Sequence, residues 1–229
     1  RAEKEGVVAI ISAGTNHKNN IATLELAKKY KVINPALGLY PLEALELSEK
    51  EIDSTLDFIK KNKKNIIAIS EVGIDYHSII NQNEKQKRIF QRIIKIGEET
   101  ELPLIIHSRK AELDVIELLE KSRLKKIVMH CFGGNLKLVK KIENNGWFLS
   151  IPTNIVFSSH FQTIVKQTSI SNILTETDSP YLSPVKGTRN EPSFIKHAIK
   201  KISEIKSLDI NEVENIIYMN FQKLFLGKI

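Results

Sequence analysis

The chain has 229 residues, of which 41% are hydrophobic and 27% are charged, and its formal net charge at pH 7 is +7. This composition is typical of a soluble globular protein, and no apolar run approaches the roughly 20 residues of a membrane span. The single cysteine, Cys131, excludes an intrachain disulfide and indicates a reducing, cytoplasmic location. Scattered lysine pairs are typical of solvated helix faces, and a surface adapted to a polyanion is the alternative.

Short apolar runs alternate with longer amphipathic segments along the whole chain. The runs that predict strands cover residues 6–14, 30–41, 65–75, 102–109, 125–134, 146–151 and 171–180. Most of these runs are continuously apolar, as expected for parallel strands that are covered on both faces.

Amphipathic segments between the runs predict helices. Residues 83–100 and 111–122 have apolar side chains at helical spacing, and the second segment places Leu113, Ile116 and Leu119 on one face. Repeated β then α, with no linker rich in Pro, Gly or Ser, predicts one α/β domain over residues 1–229.

The number and order of these elements favour a TIM (β/α)8 barrel. Seven strands are one short of the eight in such a barrel, and residues 1–6 resemble the last turn of a helix. An open doubly wound sheet usually carries a Gly-rich phosphate loop, and the sequence contains neither G-x-G-x-x-G nor a P-loop. We therefore expect a TIM barrel whose first strand is absent from this chain, because something upstream of Arg1 was removed or not included.

Four predicted strands end in residues that can bind a metal ion, namely Glu71, His107, His130 and Asp178. In a TIM barrel the active residues lie at these carboxyl ends. Imidazole and carboxylate groups suit Zn, Mn, Mg or a similar divalent ion. Each residue alone is more often a core, turn or cap residue, but four of matching chemistry predict a joint metal site. Glu176 is predicted to hydrogen-bond to the ligands without touching the metal itself.

Several segments carry a resemblance to a known family. The segments "EVGIDYH", "PLIIHSR", "MHCFGG", "ETDSPYL", "GTRNEP" and "NFQKLF" resemble signature segments of the TatD-type metal-dependent deoxyribonucleases. The resemblance implies that Glu71 bridges two divalent ions, that His107 and His130 bind one ion, and that Asp178 binds the other. Asp178 would also accept a proton from the attacking water, so Asp178 and Glu71 are the predicted catalytic residues.

The chain departs from the family pattern in two places. It has no His-x-His segment of the kind that the family's first strand carries, and Tyr40 stands where many members have a histidine. We therefore expect this chain to bind at most one of the two ions tightly and to be nearly inactive, whereas the native protein should bind two. Substrate contacts are predicted for Arg109, Tyr40, Arg189 and Asn190.

The function implied by this resemblance is metal-dependent hydrolysis of DNA phosphodiester bonds, from a 3′ end or at a lesion. Hydrolysis of an amide, ester or lactone is the alternative, because the same ligand set supports it. A barrel that binds a metal or a nucleic acid without turnover is the second alternative. DNA is the expected partner, with no membrane and no obligate protein partner.

Overall fold

The computed structural model describes residues 1–77 and 82–227 of the chain. These residues form two compact units. The N-terminal unit is Ala9–Met129, and the C-terminal unit is Arg1–Val8 with His130–Ile229. The single domain over residues 1–229 stays a prediction.

Within the described residues, strands and helices alternate along the chain. The strands are β1 (Ile10–Ala13), β2 (Ile33–Leu37), β3 (Ala68–Gly73), β4 (Leu104–His107), β5 (Ile127–His130), β6 (Phe148–Pro152) and β7 (Ile173–Glu176). The α-helices are α1 (His17–Lys29), α2 (Pro41–Glu46), α3 (Glu49–Lys61), α4 (Asn83–Thr100), α5 (Glu112–Glu120), α6 (Leu136–Asn144), α7 (Ser159–Gln167), α8 (Ile195–Lys206) and α9 (Ile210–Phe221). Six of the seven predicted runs contain one of these strands, and β6 extends one residue beyond its run, to Pro152. The α/β fold class is confirmed.

The N-terminal unit contains parallel strands that pair in chain order. Strand β1 pairs with β2, β2 with β3, β3 with β4, and β4 with β5. Because every pairing is parallel, the carboxyl ends of these strands lie at one edge of the sheet. In the C-terminal unit β6 pairs with β7 in parallel, with Pro152 beside Glu176 at the carboxyl end.

Local sequence signals explain where several helices begin. Ser48 accepts a hydrogen bond from the backbone of Glu51, whose side chain reaches back to the Ser48 backbone, and this capping box starts α3. Asparagine or serine side chains cap α1, α6 and α7 in the same way. No helix in the described part of the chain combines the length and the apolar character needed to cross a membrane.

The helix predicted over residues 111–122 forms as α5, but one of its predicted core residues is wrong. Ile116 and Leu119 are buried, whereas Leu113 is 49% exposed. Val115, one residue before Ile116, is buried in its place. The apolar face therefore runs along Val115, Ile116 and Leu119.

Glycine allows the backbones of neighbouring strands to approach closely in the N-terminal unit. Gly73 has φ +140°, and a Cβ atom there would lie 1.9 Å from the carbonyl oxygen of His107. A Cβ atom on Gly38 would lie 2.3 Å from the carbonyl carbon of Ser70. Side chains at these two positions would push β3 away from its neighbours, so the close approach needs glycine.

Candidate functional site

Glu71 and His107 meet at the carboxyl ends of β3 and β4 in the N-terminal unit. The register between these strands shifts between Ile69 and Val72, so β3 contains a bulge that includes Glu71. Bulges redirect side chains beside active sites. The Nδ1 atom of His107 lies 2.8 Å from Oε1 of Glu71, and both side chains are partly buried.

Asp75 occupies the other side of the His107 ring. The Nε2 atom of His107 lies 3.0 Å from Oδ2 of Asp75, and the Asp75 side chain is only 1% exposed. The backbone N–H of His77 donates to Oδ1 of Asp75 at 2.7 Å. Burial acts to raise the pKa of Asp75, but the hydrogen bonds from His107 and His77 outweigh it and hold this pKa below its ordinary value.

Tyr40 contacts both Asp75 and His107. Its hydroxyl donates to Oδ2 of Asp75 at 3.0 Å, and its ring meets the His107 ring edge to face with centroids 5.0 Å apart. Burial, followed by the charge of Asp75, raises the pKa of Tyr40 well above its ordinary value, so the hydroxyl stays a donor. The structure therefore places Tyr40 beside His107, where its hydroxyl donates to Asp75, and the substrate contact stays a prediction.

His130 and Glu176 form a second histidine–carboxylate pair, in the C-terminal unit. His130 ends β5 and Glu176 ends β7, and Nδ1 of His130 lies 2.7 Å from Oε2 of Glu176. The hydroxyl of Ser150, on β6, donates to the same carboxylate oxygen. Glu176 thus contacts the ring nitrogen of His130 that faces away from Asp178, and its predicted supporting role stays a prediction.

Asp178 lies on the opposite side of the His130 ring from Glu176. The Nε2 atom of His130 is 4.0 Å from Oδ1 of Asp178, whose side chain is 33% exposed. The backbone of Asp178 is left-handed, with φ +55°, and its carbonyl accepts from the N–H of Tyr181 at 2.9 Å. Aspartate tolerates this conformation better than most residues do, and such backbone conformations cluster at functional sites.

Asn190 is a structural residue in the loop that follows β7. The residue is 2% exposed. Its amide nitrogen donates to Thr153 Oγ1 and to the carbonyls of Thr177 and Tyr181. The amide oxygen accepts from the N–H of Glu191. These hydrogen bonds tie the loop that carries Asp178 together and to Thr153, and the substrate contact of Asn190 stays a prediction.

The two arginines predicted to contact substrate both lie at the protein surface. Arg109 follows β4 by two residues, and its carbonyl accepts from the N–H of Tyr76. Arg189 lies in the loop after β7 and is exposed. Both guanidinium groups are accessible to a phosphate.

The geometry of the N-terminal pair fits a divalent ion, and an unpaired carboxylate oxygen in the C-terminal unit fits a cation nearby. Two ligand atoms bound to one ion at about 2.0–2.2 Å each lie about 3 Å apart, and the 2.8 Å between His107 Nδ1 and Glu71 Oε1 matches this spacing. In the C-terminal unit, Oε1 of Glu176 is buried and has no hydrogen-bond donor within the described residues. A buried carboxylate oxygen without a donor is rare, and a cation nearby would satisfy it.

Sequence reasoning found the four candidate ligands and Glu176 but missed Asp75 and Ser150. Asp75 had a usable signal, because Glu71, Gly73 and Asp75 alternate along an extended segment and so share one face. Ser150 lies inside an apolar run and carries no such signal. Its contact with Glu176 depends on the pairing of β6 with β7.

Comparison with known proteins gives consistent matches over nearly the whole chain. A family model described as TatD related DNase matches residues 1–226. An uncharacterized metal-dependent hydrolase of Methanocaldococcus jannaschii is 36% identical, over 100% of this chain and 89% of its own length. The human protein named deoxyribonuclease TATDN3 is 31% identical, over 98% of this chain and 86% of its own length.

Solved structures share the fold. The Escherichia coli TatD homologue YJJV gives a TM-score of 0.91 at 24% identity, covering 98% of this chain and 88% of its own. A hydrolase TatD family protein from Entamoeba histolytica gives 0.88 at 25% identity, covering 99% and 87%. These similarities confirm the predicted TIM-barrel-like fold.

Proposed function

Since this chain belongs to the family of TatD-related DNases, and so to the metal-dependent hydrolases, we propose that it cleaves phosphodiester bonds of DNA. The observation that carries the proposal is the doubled histidine–carboxylate arrangement. Each of His107 and His130 has one ring nitrogen held by a carboxylate, Asp75 or Glu176, and the other directed at a candidate ligand.

We propose Glu71, His107, His130 and Asp178 as the ligands of two divalent ions, with Glu71 as the shared ligand. Bound divalent ions lower the pKa of a water molecule and stabilise the charge that develops on a phosphodiester. The paired atoms in each unit support this assignment, because a nitrogen lone pair and a carboxylate oxygen are the donors that such ions prefer.

Asp178 is the proposed proton acceptor for the attacking water. Its carboxylate is 33% exposed, whereas the side chains of Glu71 and His107 are 18% and 14% exposed, so a substrate and a water reach Asp178 more easily. Its backbone is fixed by the loop that Asn190 holds. General bases contribute about 10²-fold to 10⁴-fold to a rate, and we expect Asp178→Asn to lower turnover by that range.

The substrate is proposed to be DNA because the chain is cationic and has accessible arginines in the loops after β4 and β7. The net charge is +7, and Arg109 and Arg189 follow β4 and β7 within the loops at their carboxyl ends. Guanidinium groups bind phosphate with two parallel hydrogen bonds. The human relative named deoxyribonuclease supports the same substrate class.

The test is a cleavage assay on end-labelled single-stranded and duplex DNA with Mg²⁺, Mn²⁺ or Zn²⁺, each with and without a chelator. We expect metal-dependent cleavage by the native protein, which Asp178→Asn lowers about 10²-fold to 10⁴-fold, and much weaker cleavage by residues 1–229 alone. Hydrolysis of ester, amide or lactone substrates without DNA cleavage would replace the proposal by its alternative. DNA or metal binding without any turnover would show a non-catalytic barrel.

A further inference from the structure

We propose that Asp75 is a positioning residue that makes His107 bind metal through Nδ1, and that Tyr40 and Gln86 hold Asp75 in this role. The inference deepens the proposed function, because it rests on the proposed ligand role of His107. It concerns the N-terminal unit alone, where all four residues lie.

The contact with Asp75 favours a proton on Nε2 of His107 over a proton on Nδ1. An ionised aspartate only accepts hydrogen bonds, and Oδ2 of Asp75 lies 3.0 Å from Nε2 of His107. Glu71 also accepts, but it is 18% exposed whereas Asp75 is 1% exposed, so Asp75 is the more confined acceptor and favours the proton on Nε2. With the proton of the neutral ring on Nε2, Nδ1 presents a lone pair. That lone pair faces Oε1 of Glu71 at 2.8 Å, an arrangement in which two acceptors repel each other unless a cation or a proton lies between them.

Asp75 is fixed from three directions. The hydroxyl of Tyr40 donates to Oδ2, and the backbone N–H of His77 donates to Oδ1. Gln86, in the first turn of α4 and only 1% exposed, accepts from the Asp75 N–H at 2.7 Å and donates to the Asp75 carbonyl at 2.8 Å. With its backbone and both carboxylate oxygens engaged, Asp75 cannot turn away from His107.

Tyr40 also limits the freedom of the His107 ring. The two rings meet edge to face, so rotation of the imidazole would break both this contact and the hydrogen bond to Asp75. The backbone N–H of Tyr40 donates to the carbonyl of Thr15 at 2.8 Å, which anchors the tyrosine at the end of β2. A histidine held in this way offers Nδ1 in one orientation, which favours metal binding because little freedom is lost.

The test compares Asp75→Asn with the parent in the metal-free protein. In histidine-¹⁵N spectra at alkaline pH, where imidazoles are neutral, we expect His107 of the parent to be protonated at Nε2. An asparagine is uncharged and can offer an N–H to Nε2, so we expect the variant to show a mixture of the two tautomers. Assignment uses the loss of the His107 signal in His107→Gln.

The same variant is measured for Mn²⁺ and Zn²⁺ affinity by competition with a chelator. Loss of a carboxylate behind a metal-binding histidine typically lowers affinity about 10-fold to 100-fold, and we expect Asp75→Asn to fall in this range. Asp114→Asn is the matched control, because Asp114 bonds Tyr76 and Lys87 rather than a histidine, and it should change neither measurement.

A parent-like His107 tautomer together with parent-like affinity in Asp75→Asn would overturn the inference. If that variant does not fold, Tyr40→Phe decides, since it keeps the ring beside His107 and removes one donor to Asp75. We expect a smaller loss of affinity, and a His107 tautomer already mixed or reversed in the parent would refute the proposal. A parent that binds metal but cleaves no DNA would contradict the proposed function and leave these measurements decisive.

Discussion

The two histidine clusters present opposite ring nitrogens. In the N-terminal unit, Nδ1 of His107 faces Glu71 and Nε2 is held by Asp75. In the C-terminal unit, Nδ1 of His130 is held by Glu176 and Nε2 faces Asp178. Each imidazole thus has one nitrogen hydrogen-bonded to a supporting carboxylate and one directed at a proposed ligand, although the carboxylates come from unrelated segments of the chain.

The clusters differ in how firmly each supporting carboxylate is held. Asp75 accepts hydrogen bonds at both oxygens and has its backbone clasped by Gln86. Glu176 accepts at Oε2 alone, and its Oε1 has no donor within the residues that the structure describes. The supporting carboxylate of the N-terminal cluster is therefore rigidly held. The C-terminal cluster has a supporting carboxylate with more freedom and the more accessible Asp178.

The largest expected effect comes from Glu71→Gln, in the rigid cluster. The amide keeps the shape but has one neutral acceptor in place of two charged oxygens, so a shared ligand is lost. Metal ions supply several kcal/mol of stabilisation in such reactions, and we expect the turnover of the native protein to fall about 10³-fold. Steady-state cleavage of labelled DNA measures the fall, and circular dichroism confirms the fold.

Glu99→Gln is the control for this change, because Glu99 pairs with Lys60 at the surface and loses the same charge. Turnover of Glu99→Gln should match the parent. Equal turnover of Glu71→Gln and the parent would show that Glu71 is not a metal ligand and that the N-terminal cluster does not hold an ion through it.

The second effect is on the loop that supports Asp178. Asn190→Ala leaves the acceptors at Thr153, Thr177 and Tyr181 without their donor. Since each buried unpaired polar group costs about 1–3 kcal/mol, we expect the free energy of unfolding to fall by about 2–4 kcal/mol. Urea denaturation measures this, with the exposed Asn65→Ala as the control. A loss no larger than that of Asn65→Ala would show that the loop does not depend on Asn190.

Glu176→Gln should have a smaller effect on metal affinity than Asp75→Asn. The glutamine can still accept from His130 through its oxygen, and only one oxygen of Glu176 is engaged in the described structure. We expect about a 10-fold loss of Mn²⁺ affinity, at the low end for residues behind a ligand. Chelator competition measures the Mn²⁺ affinity of both variants. A larger loss of affinity in Glu176→Gln than in Asp75→Asn would show that the C-terminal carboxylate is the more rigidly held of the two.

The smallest effect concerns Tyr76, which follows Asp75 in the chain. Burial and the hydrogen bond to Asp114 raise the pKa of Tyr76 to about 12 from the ordinary value of 10.0. A raised pKa in the folded state stabilises the protein below about pH 10, and this contribution is lost as the pH rises from 10 to 12. We expect Tyr76→Phe to flatten the decline of the free energy of unfolding in that window, measured by urea denaturation at several pH values.

An unchanged slope in Tyr76→Phe would show that the tyrosine ionises at its ordinary pKa and that this end of the N-terminal cluster is less rigid. The ultraviolet absorbance of tyrosinate during an alkaline titration gives an independent measurement. The parent has 5 tyrosines, and the variant should lose one of the late-titrating groups.

The sequence predicted the strands and the candidate ligands because both follow from local pattern. Continuous apolar runs located every strand, and strand ends located Glu71, His107, His130 and Asp178. Ring orientation was out of reach, because it depends on partners 32 and 46 residues away, Asp75 for His107 and Glu176 for His130. The surroundings of Tyr40 and Asn190 were equally hidden, since a side chain's polar partners depend on how distant loops pack together.

The division into two compact units was also not predicted. It depends on contact density between elements rather than on any linker, and the boundary at Met129 and His130 falls inside β5. The predicted burial of Leu113 was wrong because helical spacing gives the periodicity of a face but not its rotation about the helix axis. A shift of the face by one residue moved Val115 inward and Leu113 to the surface.

The glycine at position 73 sets limits for anyone who would vary this protein by library selection. Its φ of +140° and the 1.9 Å approach of a Cβ atom to the His107 carbonyl leave no substitution that fits. A Cβ atom added to Gly187, by contrast, would have no neighbouring atom within 4 Å. The only requirement there is a left-handed backbone, which asparagine adopts readily. Substitutions in the loop around residue 187 are therefore compatible with the fold. Substitutions at residue 73 would disrupt the close approach of β3 to the backbone of His107.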